Sequence, residues 1–208
     1  MAFKWLIGNG DFLDLAHHAW QDVSDDGDTL QRIEISQHRD HSFDLAPLEK
    51  LNPEDGLMFV AIDERFGNFK RMELMQAAML QGFKLTSCIH PSASIARDVA
   101  LSPNVYIGAN SVVGHGCRID FNTVIHAGVN IGPRTRLQSS CWIDAGVQIG
   151  QSVEIGANSI VRMGASVANG VRIGKFCDLG WPRRYSEDIK NKTVFDLRYD
   201  EPIHVYEP

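Results

Sequence analysis

The amino-acid sequence predicts a small α/β domain over residues 1–88, a parallel β-helix of hexapeptide repeats over 89–180 and a C-terminal tail over 181–208. Three observations carry the middle part. Stepping by six from Ile89 lands on Ile, Leu or Val sixteen times in succession, through Ile95, Leu101, Ile107 and Val113 to Ile173 and Leu179. The residue four places further on is small every time, from Ala93 and Val99 to Val171 and Cys177. Glycine often follows the aliphatic directly, as at Gly108, Gly114, Gly132, Gly150, Gly156, Gly174 and Gly180. Such self-similarity at a fixed short period marks a repeat architecture.

Six residues make one short strand and a turn, and three such sides close a coil. Each aliphatic then points inward and stacks on the residue eighteen positions away. The small residue fits the corner. Glycine, with Asn104, Asn110, Asn122, Asn130 and Asn158, supplies backbone conformations that other residues resist. The repeat makes about five coils, and each coil needs a neighbour to complete its hydrogen bonds. Cys117, Cys141 and Cys177 occupy the small-residue position and read as packing residues. With Cys88 they show no CxxC pairing, so neither a zinc nor a disulfide framework is expected.

The first 88 residues alternate strand and helix. Lys4–Ile7 is a short apolar strand that runs into Gly8-Asn9-Gly10. A helix follows with Phe12, Leu15, Ala16, Ala19 and Trp20 on one face. Leu30–Ile35 and Leu57–Ile62 are the next strands. A second helix carries Phe69, Met72, Met75, Gln76 and Met79, and Gly82 closes it. Lys84–Cys88 leads into the repeat. This order is Rossmann-like, and a glycine turn between strand and helix can hold a phosphate at the helix N-terminus. Gly8, Asn9, Gly10 and Asp11 are therefore candidate substrate-binding residues. The other reading is a tight βα turn without a ligand: Leu13 stands where a third glycine would fall, and Asp11 and Asp14 would repel a pyrophosphate.

Residues 1–88 carry 8 Lys/Arg against 15 Asp/Glu, and residues 89–208 carry 12 against 11. Neither part has the basic footprint of a nucleic-acid binder. The opening MAFKWLIGNGDF holds no apolar run long enough for a signal peptide or a membrane span, so a soluble cytoplasmic protein is expected.

A small α/β unit with the stretch VAIDERFGNFKRMELMQAAMLQGFKLTSCIHPSA, then the hexapeptide repeat, resembles the sialic-acid O-acetyltransferases and bacillosamine-pathway sugar N-acetyltransferases. The resemblance implies a left-handed β-helix and a homotrimer with sites between subunits. It implies a nucleotide-sugar held by the N-terminal domain, acetyl-CoA as donor on the β-helix and a histidine as general base. In GANSVVGHGCRI the matching histidine is His115, and SSCWIDAGVQIG resembles the segment beyond it. His126, on a nearby turn, is the second candidate base. Ala145 and Met163 fall where the family contacts the CoA arm. Arg183 and Arg184, late in a run of basic residues with Arg162, Arg172 and Lys175, are placed to meet its phosphates. No metal is expected, because the γ-type carbonic anhydrases of similar architecture need two histidines five apart and none of the repeat's histidines are.

Two departures are visible. Gly114 and Gly116 flank His115 where the family has an acidic neighbour, and Pro133, eighteen residues on, stands where a backbone N–H would meet the thioester oxyanion. Proline has no N–H to give. The sequence thus supports an acyl-CoA-dependent sugar acetyltransferase, with a non-catalytic β-helix that binds a sugar nucleotide or acts as a scaffold as the alternative. A nucleotidyltransferase is disfavoured, since 88 residues are too few for a pyrophosphorylase domain.

Overall fold

A computed structural model describes residues 3–22, 29–65 and 67–205. Part of the α/β domain lies outside this range, as do the last three residues of the tail. The domain comprises β1 (Phe3–Gly8), α1 (Gly10–Gln21), β2 (Thr29–Glu34), β3 (Gly56–Ala61), α2 (Phe69–Leu80) and β4 (Lys84–Leu85). The strands form one parallel sheet in the order β2-β1-β3-β4, with Phe3 opposite both Thr29 and Gly56. On one side Leu6, Phe59 and Ala61 pack against α1. On the other, Trp5, Ile7, Met58 and Val60 pack against Leu74, Met75 and Ala78 of α2. Two expected faces shift. In α1 Leu13 is buried and Leu15 exposed; in α2 Phe69 and Met79 are exposed. Helix α1 is covered on two sides, by sheet and β-helix, so its buried stripe is wider than a single face.

From Cys88 onward the chain coils around three flat parallel faces of two-residue rungs. Face 1 begins Cys88–Ile89, Tyr106–Ile107 and Val124–Ile125; face 2 begins Ser94–Ile95 and Val112–Val113; face 3 begins Ala100–Leu101 and Arg118–Ile119. Paired residues are eighteen apart, as with Ile107, Ile125 and Ile143. The inward aliphatics build one core, with Cys117, Cys141 and Cys177 buried in it.

The turn chemistry divides more finely than the repeat suggests. Asn104, Asn110, Asn122 and Asn158 do take left-handed conformations, at φ 57–61°. Asn130 does not; it lies on a face 2 rung. The glycines after the aliphatics serve close approach rather than positive φ: a Cβ on Gly108 would lie 2.6 Å from the Ala127 nitrogen of the next coil.

What joins the domains is the outward residue of the first five face 1 rungs. Cys88, Tyr106, Val124, Trp142 and Ile160 are all buried, against α1 and β3. On faces 2 and 3 the corresponding residues are mostly polar, such as Asn130, Gln148, Arg118 and Arg136. The chain beyond 180 continues the ladder. Arg184–Tyr185 adds to face 2, Thr193–Phe195 adds to face 1, and Ile203–His204 then pairs antiparallel with the latter. No helix among the described residues is long and apolar enough to cross a membrane.

Candidate functional site

The glycine turn sits at the carboxyl end of β1, where the chain departs to β2 on one side and β3 lies on the other. That switch point is where open α/β sheets leave a crevice. A Cβ on Gly8 would lie 1.7 Å from the Ala61 carbonyl oxygen, so packing alone requires glycine there. Asn9 ties three strand ends together: its N–H donates to the Ala61 carbonyl (3.3 Å) and its Nδ2 to the Ile35 carbonyl (3.1 Å). Its amide is therefore spent on the scaffold. Gly10 opens α1 at φ 71°, and a Cβ there would lie 3.2 Å from an Arg65 guanidinium nitrogen. Asp11 is exposed in the first turn of α1. The next residue, Phe12, leaves the turn for the β-helix, its ring 5.1 Å from Trp142.

The loop after β3 runs from the glycine turn to the β-helix. Asp63 holds Arg65 through Nε at 2.6 Å. Glu64 reaches the β-helix, where Arg162 donates to it at 2.7 Å and to Asp178 at 3.0 Å. Arg162, read from sequence as one of the basic residues placed for the CoA phosphates, is thus neutralised by two carboxylates. Arg71 of α2 is fully buried at the seam. It donates to the carbonyls of Ile62 and Asn122 and to the Asn68 side chain, and stacks over Trp142. Burial without a directly paired carboxylate brings its pKa down to about 9.

Where faces 1 and 2 meet, His126, Asp144 and Arg162 follow one another on successive coils, with Ala127, Ala145 and Met163 beside them. His126 is enclosed by Trp142, Phe12 and Tyr106, at ring distances of 4.6, 5.9 and 6.1 Å. Its Nε2 is buried without a partner among the described residues, and burial lowers its pKa. Asp144 accepts from the Trp142 indole at 2.7 Å and the Met163 N–H at 3.2 Å. A cavity of about 430 Å³ opens between Met163, Arg162, Asp178 and Leu197. The structure therefore gathers the glycine turn, His126, Ala145 and Met163 along one seam.

His115 is elsewhere. It lies between a face 2 rung and a face 3 rung, the corner opposite the face that carries the α/β domain. Its side chain is 82% exposed, and its Nδ1 lies 3.1 Å from the Asp98 carboxylate of the preceding coil. An acid thus stands beside His115 although none adjoins it in sequence. Pro133 lies directly beneath: a Cβ on Gly114 would be 2.8 Å from its nitrogen. Arg183 covers the rings of Trp181, Tyr185 and Phe195 at 4.9–5.2 Å, sealing the last coil. Arg184 is exposed on face 2. Both border an open cavity of about 440 Å³ at that end. Sequence reading missed Asp98, Glu64, Arg71 and Asp178. The signal for Asp98 existed, since position 98 stacks above 116.

Comparison with known proteins bears on the fold. No family model matches the chain, and no curated protein does. Solved structures do. A histidine-to-asparagine variant of perosamine N-acetyltransferase from Caulobacter crescentus, in complex with CoA and GDP-perosamine, is 23% identical with a TM-score of 0.78. The likeness covers 93% of this chain and 92% of that one. PerB from the same organism, with the same two ligands at 1.0 Å resolution, is 23% identical with a TM-score of 0.62 and covers 93% of both chains. WeeI from Acinetobacter baumannii is 10% identical with a TM-score of 0.53, over 98% of this chain and 100% of that one. The chain therefore has the fold of these proteins: an α/β N-terminal domain followed by a left-handed parallel β-helix of hexapeptide repeats.

Proposed function

We propose that the chain is an acetyl-CoA-dependent transferase that acetylates an amino or hydroxyl group on a nucleotide-linked sugar. The observation that carries this reading is the likeness, over both domains at once, to a protein crystallised with CoA and GDP-perosamine. The β-helix alone would suit many activities. The α/β domain, with a glycine turn at the carboxyl end of its first strand, would add a place for a sugar nucleotide.

In this reading the Gly8–Asp11 turn faces the diphosphate, and Ala145 and Met163 border the CoA arm. His115 accepts a proton on Nε2 as the acceptor nitrogen or oxygen attacks the thioester carbonyl. The tetrahedral intermediate collapses, the C–S bond breaks, and the CoA thiolate takes a proton from the imidazolium. General-base catalysis of this kind contributes about 10²–10⁴ in rate. Because His115 lies on the corner opposite the α/β domain, the site is composite: the base of one protomer serves the crevice of another, in a homotrimer. A cytoplasmic location, where acetyl-CoA is available, belongs to the same reading.

The test is thiol release from acetyl-CoA across a panel of amino- and hydroxy-sugar nucleotides. Wild type is expected to turn over at least one, and His115→Ala to lose about 10²–10⁴ of kcat. Turnover kept in His115→Ala would move the base to His126. No turnover with any acceptor, together with no acetyl-CoA binding by calorimetry, would favour a non-catalytic β-helix. Pro133, without an N–H beneath His115, is the feature that supports that second reading.

A further inference from the structure

We infer that Asp98 is the positioning residue for His115, and that the coil before the histidine supplies the support its glycine neighbours cannot. This rests on the transferase reading. Positions 98 and 116 are eighteen apart, so Asp98 stacks directly on Gly116. Gly116 takes φ 68°, a conformation suited to glycine, and its N–H donates to Oδ2 of Asp98 at 3.1 Å. The other oxygen, Oδ1, lies 3.1 Å from Nδ1 of His115. Both carboxylate oxygens are therefore committed, and the group cannot swing away without losing two contacts.

The consequence for His115 is chemical. An ionised carboxylate only accepts hydrogen bonds, so Nδ1 must carry the proton. The neutral ring then presents Nε2 as a bare lone pair, on a side chain that is largely exposed. A general base needs that tautomer, and the partner on the far nitrogen selects it. The Gly116 hydrogen bond, then that from His115, holds the Asp98 carboxyl below the usual range, which keeps it an acceptor at neutral pH. Gly116 thus does indirectly what an acidic neighbour would do directly: its N–H holds a carboxylate one coil away.

The experiment compares wild type, Asp98→Ala, Asp98→Asn and Asp98→Glu by two readouts. The first is ¹⁵N NMR of labelled imidazoles at a pH where His115 is neutral, with His115→Gln to assign the signal. The second is steady-state kinetics with the acceptor that wild type uses. Wild type is expected to show the Nδ1–H form, and Asp98→Ala a shift towards the usual Nε2–H form. In parallel kcat is expected to fall about tenfold to a hundredfold in Asp98→Ala and Asp98→Asn with KM unchanged, a smaller effect than at a buried triad carboxylate. Asp98→Glu is expected to recover part of the loss. A merely structural role would lower the melting temperature and leave the tautomer alone. If His115→Ala abolishes turnover while Asp98→Ala keeps both tautomer and kcat, the inference about Asp98 is overturned and the transferase reading stands. If wild type turns over no acceptor and binds no acetyl-CoA by calorimetry, the transferase reading falls and takes a role for Asp98 in catalysis with it.

Discussion

Single residues here are tuned mainly by burial. His126 is enclosed by three aromatic rings at the seam, and its folded pKa lies below 6.5. On acidification the unfolded chain takes up a proton near 6.5, whereas the folded chain does so only at lower pH. The unfolded state therefore binds more protons in that window, and stability falls as pH drops through it. His126→Phe should fit the same aromatic surroundings and flatten that part of the pH dependence, measured by urea melts at pH 7.5 and 5. An unchanged slope would place the acid sensitivity elsewhere. Burial also pushes the Cys88 and Cys141 thiols up to about 12 and raises Cys117 and Cys177. Iodoacetamide at pH 8 should label none of them in the folded protein and all four in denaturant. A fast-reacting thiol in the native state would contradict the packing role assigned to them. Arg71 is a fully buried charge at the seam, and Arg71→Ala would strand the Ile62 and Asn122 carbonyls. A loss of about 2–4 kcal/mol in denaturant melts is expected.

At the scale of elements, one column of turns connects the repeat to the α/β domain. Asn104 exchanges hydrogen bonds with the Val60 backbone of β3 and donates to Asn122, which donates to Ser140. The ladder stops there, because serine is too short to reach the next rung, and Asn158 Oδ1 is left buried without a partner among the described residues. Ser140 also holds φ 57°, which asparagine adopts more readily. Ser140→Asn should extend the ladder and stabilise by about 0.5–1.5 kcal/mol, seen as a higher melting temperature; a lower one would mean the column lacks room. Such columns explain what could be read from sequence. The aliphatic at every sixth position was enough for the coil, since one inward residue per side decides it. The docking face was also written there: five hexapeptides at intervals of three have Cys88, Tyr106, Val124, Trp142 and Ile160 before their inward aliphatics. That signal has a period of eighteen, which a search at six averages away. Arg71 to Asn122 and Glu64 to Arg162 had no signature, because they depend on how two domains meet rather than on either repeat.

At the scale of the molecule, the arrangement of halves decides whether the proposed chemistry is possible. The glycine turn, with Gly10 against Arg65, lies on the face 1 side, while His115 and Asp98 lie at the opposite corner. No bending of one protomer joins them, because the β-helix core lies between. With His115 as the proposed base, the site would be shared between copies, and that can be tested without knowing the assembly's structure. His115→Ala removes the base and leaves the crevice; Arg65→Glu sets a negative charge over the glycine turn and leaves the base. Each variant alone should be inactive. Mixed in equal amounts through denaturation and refolding, a site drawing its two halves from different protomers has one chance in two of a sound half on each side. About a quarter of wild-type activity should then return. A site contained within one protomer would recover nothing, because every chain would still carry one broken half. Recovery near a quarter would establish the shared site and give His115 and the glycine turn their parts in it. Absence of recovery, with both variants inactive, folded and assembling like wild type, would overturn the shared site; a His115→Ala variant that keeps its activity would leave His115 as a surface histidine and turn attention to His126, the imidazole already at the seam.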